Sequence, residues 1–282
     1  MKGKVLFYIV LGCLVSIPIN GSYNNLLLDY NKNKDYAFFN KDYYVSYFYK
    51  TKDIIIAPTQ WSSQDWLKSS VILSSSSIAY LIEPSINNII ISKENTLIRS
   101  IGNAGNIMGH PFLLVPLTSL SYTVAYYSNY SKLEHASLLA IESLILSGVI
   151  VKSIKMTFQR HRPRETNSNS QFSGPGLSLS EKNQSFPSGH SALAWATATS
   201  FALEFKNNPV IQFSSYGLAT FVAISRLFDN AHWASDAIIG SAIGHFIARY
   251  TAKKKTNSLS NSRLSFIPII SNDLRFAIKR SF

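Results

Sequence analysis

The chain has 282 residues, enough for one large domain or a domain with appendages, and enough to bury a sizeable core. Charged residues make up only 15%, yet 27 Lys+Arg stand against 15 Asp+Glu for a net charge of +12, so an anionic partner is expected. The absence of a basic stripe with stacking aromatics or of a known reading motif argues against nucleic acid, and leaves a membrane surface or a phosphorylated substrate.

Residues 1–21 read as a signal peptide or N-terminal anchor. Met1-Lys-Gly-Lys4 supplies the charged start, Val5 to Ile17 the short apolar run, and Asn20-Gly21-Ser22 follows. Export is the favoured reading and a never-cleaved anchor the alternative. Cys13 is the only cysteine; it sits in the apolar run and matches a lipid-acceptor signal imperfectly. With no second cysteine there is no intramolecular disulfide, although the compartment expected from export is oxidising. Residues 22–60 form a Tyr-rich arm whose cluster Tyr43-Tyr-Val-Ser-Tyr-Phe-Tyr49 suits a strand or irregular arm packed on the domain, or else an interfacial aromatic belt.

Ala57-Pro58 and Trp61-Ser-Ser-Gln-Asp-Trp66 mark a turn into a capped helix start. From there the pattern is helical, and the class is all-α. Six core helices are expected over 66–83, 108–128, 133–155, 190–206, 209–228 and 235–253, with an amphipathic one near 93–106. Pro84, Pro111, Pro163 and Pro209 fall at or near their boundaries. The helical domain is placed at 61–255.

Most apolar runs are near 15 residues where a spanning helix wants about 20. Polar groups interrupt them at Ser74 to Ser77, Glu142, Glu204 and His245. Only Ala136 to Lys155 is apolar enough to cross outright, and a mean hydropathy near zero favours a soluble or peripheral bundle over a multi-span protein. Residues 256–282 are read as a polar linker and a C-terminal β-hairpin, with strands in Arg263 to Ile270 and Leu274 to Phe282 around Ser271-Asn-Asp273.

Three polar stretches carry the chemistry. In Lys155-Met-Thr-Phe-Gln-Arg-His-Arg162-Pro163, Lys155 and Arg162 are two helical turns apart, so both point the same way and could clamp an anion. In Pro187-Ser188-Gly189-His190, Ser188 can cap the following helix, whose free N–H groups favour anions, and Gly189 allows close approach. His190 stands at that anion site, where it could protonate a departing oxygen. In Ser225-Arg226-Leu-Phe-Asp-Asn-Ala-His232-Trp-Ala-Ser-Asp236, His232 and Asp236 have the spacing at which a carboxylate holds one imidazole nitrogen and leaves the other free as nucleophile, and Arg226 adds a third cation. Taken singly, each has an ordinary reading: a basic flank of a membrane helix, a loop turn, a surface His–Asp pair.

Together, Lys155-x6-Arg162-Pro163, Pro187-Ser188-Gly189-His190 and Ser225-Arg226-x5-His232-x3-Asp236 resemble the three-part signature of the type 2 phosphatidic acid phosphatase and vanadium haloperoxidase superfamily. The resemblance covers roughly 66–253, with each signature position present in order, and extends neither to the N-terminal arm nor to the C-terminal hairpin. It implies a helical bundle and a metal-independent phosphatase with no cofactor. His232 would attack phosphorus, Asp236 would fix its tautomer, and His190 would protonate the leaving alcohol and then activate water. Lys155, Arg162 and Arg226, with Ser188 and the Gly189 N–H, would bind the phosphoryl oxygens. No carboxylate or histidine cluster with metal-ligand spacing accompanies these stretches.

The substrate expected is a phosphomonoester or pyrophosphate of an envelope lipid, met at a membrane surface in the periplasm or a comparable extracytoplasmic space. A vanadium-dependent haloperoxidase, a non-specific acid phosphatase acting on soluble phosphomonoesters, and a non-enzymatic envelope protein that keeps the fold are the alternatives. Arg164 to Phe186, 23 residues rich in Ser, Asn and Gly, can be a lid or a plain connector.

Overall fold

The computed structural model describes residues 54, 56–176, 180–258, 264–270 and 274–280. The expected export signal, Cys13 and the Tyr-rich arm up to residue 53 lie outside the described residues. Seven α-helices stand among those described: α1 (Ser63–Ser92), α2 (Thr96–Met108), α3 (Pro111–Tyr127), α4 (Ser131–Phe158), α5 (Gly189–Glu204), α6 (Pro209–Phe228) and α7 (Ala234–Ser258). The protein is therefore mostly helical. It divides into two compact units, and the one comprising Trp61–Arg249 holds all three polar stretches. In the other, Leu264–Ile270 (β1) and Leu274–Arg280 (β2) are extended.

Local chemistry sets the helix starts. Ser62 caps α1 through a reciprocal pair, its Oγ accepting from the Asp65 N–H while the Asp65 carboxylate accepts from the Ser62 N–H. Asn95, Ser188 and Asn208 cap α2, α5 and α6, and Pro111 and Pro209 open α3 and α6, where a missing N–H costs nothing.

The expected end of the first helix at Pro84 is corrected: α1 runs through it to Ser92. Proline at position 84 cannot donate to the carbonyl of Tyr80, and this is what normally breaks a helix. Here Asn169, from the loop between α4 and α5, donates its Nδ2–H to the Tyr80 carbonyl at 2.8 Å. The vacated acceptor is thus refilled from another part of the chain, and the same contact pins the loop onto α1.

Small residues let the central helices approach closely. On α5, Ala192, Ala194, Ala196, Ala198 and Ala202 are all buried. Opposite them, a Cβ on Gly240 of α7 would come within 2.3 Å of the Ser188 carbonyl oxygen, and one on Gly244 within 2.0 Å of that of Ala192. Trp195 of α5 packs with Ala219 and Val222 of α6, against Met108 and Tyr216. At the end of the bundle opposite the polar stretches, His135 of α4 meets Glu204 of α5 at 2.5 Å, both buried.

By length and composition α4 is the one helix among the described residues able to cross a membrane, and 61% of its most apolar window is buried inside the protein. The bent pair α2 and α3 meets the same test if taken as one span.

Candidate active site

The three polar stretches meet where α4 and α6 end and α5 and α7 begin. The Ser188 N–H donates to the Asp236 carbonyl at 2.9 Å and the Arg164 N–H to the Asn230 carbonyl at 3.2 Å, so each connecting loop is tied to the others.

Lys155 lies buried in the last turn of α4, its ammonium donating to the Gln184 carbonyl and, at 3.4 Å, to that of Ser185. Burial and the neighbouring Arg162 push it down to about 7. The expectation that Arg162 shares a helical face with Lys155 is corrected. Gln159 takes a left-handed conformation, φ 45°, and ends α4 before Arg162 is reached. Arg162 follows in extended backbone, its Nε donating to the Glu181 carbonyl at 2.7 Å, and still lies close enough to depress Lys155. The clamp is built by a loop instead of a face.

Ser188 caps α5, its Oγ accepting from the Ser191 N–H and the Ser191 hydroxyl. Gly189, the first residue of α5, packs beside the Lys155 stem: a Cβ there would lie 3.9 Å from the Lys155 Cε. In the next position, the His190 Nε2 is buried without a hydrogen-bond partner among the described residues. Burial first, and then Arg226, His110, Arg162 and Lys155, push this imidazole down to about 3. All three expected cations therefore act on His190. Arg226 is buried at the end of α6; its Nη2 donates to Asp229 at 2.6 Å, while its Nε and Nη1 have no partner among the described residues. Three unpartnered nitrogens, on His190 and Arg226, are what an oxyanion site requires.

His232 is buried, and its Nδ1 lies 2.7 Å from the carbonyl oxygen of Ser185. A carbonyl can only accept, so Nδ1 carries the proton and Nε2 keeps its lone pair. Asp236 was expected to hold this nitrogen, but its nearest carboxylate oxygen is 3.9 Å away, too far for a hydrogen bond. The carboxylate instead accepts from the Ser185 hydroxyl at 2.5 Å, the Trp233 N–H at 3.0 Å and Arg160 at 2.5 Å. Asp236 thus fixes Ser185, and Ser185 fixes His232. Burial alone would raise the Asp236 carboxyl, but His232, Arg160 and Ser185 hold it below its ordinary value. Burial pushes His232 well below the ordinary imidazole value, with Lys155 and Arg162 adding to it against Asp236, so it is neutral near pH 7.

Three side chains that sequence reasoning passed over complete the surroundings. Arg160 is buried in contact with Asp236, Ser235 and Glu83, and Glu83 comes from α1. Glu83 had one available signal, an acid inside an apolar helix, whereas Arg160 is hidden among the basic residues flanking it. His110, the cap of α3, stacks edge-on against His190 with ring centres 5.5 Å apart. Among the described residues no group of three or more His, Cys, Asp or Glu could hold a metal ion.

Residues 136–259, a region that contains every residue of the candidate site from the second half of α4 onward, match the family model of the PAP2 superfamily. Among curated proteins, the chain is similar to the lipid A 1-phosphatase of Porphyromonas gingivalis, at 38% identity over 102 residues, 36% of this chain and 20% of the relative. It is also similar to the lipid A 1-phosphatase of Rhizobium johnstonii, at 31% over 110 residues, 39% of this chain and 44% of the relative. The chain thus spans less than half the length of these curated relatives. Among solved structures it resembles Aquifex aeolicus LpxE with a TM-score of 0.47 at 20% identity, covering 61% of this chain and 95% of that one.

Proposed function

We propose that the protein is a metal-independent phosphatase that hydrolyses a phosphomonoester or pyrophosphate of an envelope lipid through a phosphohistidine on His232. One observation carries this reading: a neutral histidine, its Nδ1–H held by the Ser185 carbonyl, and a second buried histidine both lie under the influence of Lys155 and Arg162, with Arg226 acting on the second.

A phosphate dianion set among Lys155, Arg162 and Arg226 offsets the charges that depress His190 and raises its pKa, so His190 can carry the proton the leaving oxygen needs. The Nε2 lone pair of His232 forms the bond to phosphorus as the P–O bond breaks, and His190 protonates the departing oxygen. Neutral again, His190 takes a proton from water, whose oxygen attacks phosphorus and releases phosphate from His232. The Arg226 Nε and Nη1 and the α5 N-terminus at Gly189 take the charge on the equatorial oxygens.

A lipid substrate is supported by the names of the two curated relatives and by the apolar surface. Leu67 and Leu81 on α1, Phe112 and Leu120 on α3 and Phe213 on α6 are all exposed by 60% or more, which suits contact with a membrane. The same reading takes 1–21 as an export signal or anchor, 22–60 as an arm and 61–255 as the phosphatase domain, facing an extracytoplasmic space. It takes 256–282 as linker and hairpin, for which the antiparallel register from Leu264 with Arg280 to Ile270 with Leu274 is support.

The test is phosphate release by the purified full chain from lipid A phosphates, phosphatidate, phosphatidylglycerophosphate, undecaprenyl pyrophosphate and a soluble phosphomonoester, all in EDTA. Lipid-selective release abolished by His232→Ala is expected. Preference for the soluble ester removes the lipid assignment; halide oxidation with vanadate and peroxide in place of phosphate release removes the phosphatase.

A further inference from the structure

Arg160 lies buried between two carboxylates, and its five guanidinium hydrogens all have acceptors. Nη1 donates to Asp236 Oδ1 at 2.5 Å and Ser235 Oγ at 2.9 Å. Nη2 donates to Glu83 Oε2 at 2.6 Å and the Asn169 carbonyl at 2.7 Å, and Nε donates to that same carbonyl at 3.0 Å. The ring faces of Tyr80, Phe172 and Trp233 lie 5.1–5.5 Å from its central carbon. No donor is left over for a substrate.

Glu83 is equally committed. Its Oε1 accepts from the Ser235 N–H at 2.8 Å and hydroxyl at 2.6 Å, at the start of α7, and its Oε2 takes Arg160 and, at 3.0 Å, Asn169 Nδ2. A single acid on α1 therefore holds the first turn of the helix that carries Asp236, and also the cation that holds the Asp236 side chain. From Asp236 the chain of contacts runs through the Ser185 hydroxyl to the Ser185 carbonyl and so to His232 Nδ1.

Resting on the phosphatase reading above, we propose that the Glu83–Arg160 pair is a positioning unit for the nucleophile, setting the attack angle of His232 without touching the phosphate. Among the described residues, none of the pair's hydrogen bonds goes to Lys155, Arg162 or Arg226, so its loss should slow phosphoryl transfer and spare anion binding. Glu83→Gln keeps the shape and one acceptor oxygen but turns a donor toward one of Glu83's present partners. Arg160→Lys keeps the charge but offers three donors where five are used.

The experiment measures kcat and KM for whichever substrate of the panel above the wild type turns over best, vanadate Kd and thermal midpoint on the full-length wild type, Glu83→Gln, Arg160→Lys and the double variant. Expected is a fall in kcat of about tenfold to a hundredfold in each single variant, the scale of a misaligned reacting group. KM and vanadate Kd should stay within about threefold, and the double variant should be no slower than the worse single one, as members of one unit behave. If Arg160→Lys does not fold, Glu83→Gln alone decides. Unchanged kcat in a folded variant, a loss carried by KM and vanadate Kd, or failure of both variants to fold overturns the positioning role. Absence of turnover in the wild type instead strikes the phosphatase reading, so the two failures are told apart.

Discussion

Replacing four helical glycines by alanine should split them into two pairs of opposite sign. In an exposed helix interior alanine is favoured over glycine by about 1 kcal/mol. Gly148 of α4 and Gly217 of α6 are exposed, with nothing within 4 Å of an added Cβ, so each substitution should stabilise by about that amount. At Gly244 the added Cβ would sit 2.0 Å from the Ala192 carbonyl oxygen and 2.8 Å from the Ala196 nitrogen. Both obstacles are backbone, so no side chain can swing away; α5 and α7 must part. Overpacking of this kind costs about 3 kcal/mol at the upper end of its usual range, which leaves a net loss of about 2 kcal/mol after the propensity gain. At about 2–4 °C per kcal/mol for a domain of this size, the midpoint should fall by about 4–8 °C for Gly244→Ala and rise by about 2–4 °C for Gly148→Ala and Gly217→Ala. Gly240→Ala should destabilise likewise and in addition lower kcat, because its Cβ would push on the Ser188 carbonyl, one peptide from Gly189 and two residues from His190. Circular dichroism melts on the four single variants, with kcat at saturating phosphomonoester, provide the measurement. A Gly244→Ala midpoint at or above wild type would refute the close packing of α5 on α7 at this point.

With Lys155 pushed down to about 7 in the free enzyme, kcat/KM should fall about tenfold per pH unit above that value as the ammonium is lost. Lys155→Arg, which cannot lose its charge in this range, should move the alkaline limb upward even if it lowers the plateau, and an unmoved limb assigns the ionisation elsewhere. Because the Arg226 Nε and Nη1 are buried and free for oxygen, Arg226→Lys should cost about a hundredfold to a thousandfold in kcat/KM and weaken vanadate binding, measured by competition. Activity should be unchanged by EDTA, since three cations and the α5 N-terminus supply the positive charge; loss in EDTA restored by a divalent ion would contradict this.

The residues of the proposed site were readable in the sequence because their chemistry is local. Lys155, Arg162, Ser188, Gly189, His190, Arg226, His232 and Asp236 are marked by residue type and spacing, and helix periodicity with the cap signal at Ser188 and the boundary prolines Pro163 and Pro209 placed most of them at or near helix ends. What holds them was not readable, because it depends on groups distant in the chain or lacking any side-chain identity. The partner of His232 Nδ1 is a main-chain carbonyl, which any residue at 185 would present. Asp236 stands at the spacing for a direct contact with His232, but tertiary packing turned it toward Ser185 and Arg160. Glu83 and Arg160 are 77 positions apart, and only the crossing of α1 beside the start of α7 makes them one unit. Pro84 carried a local instruction to stop the helix, and Asn169, 85 residues later, removed the reason for obeying it by bonding the carbonyl the proline had orphaned.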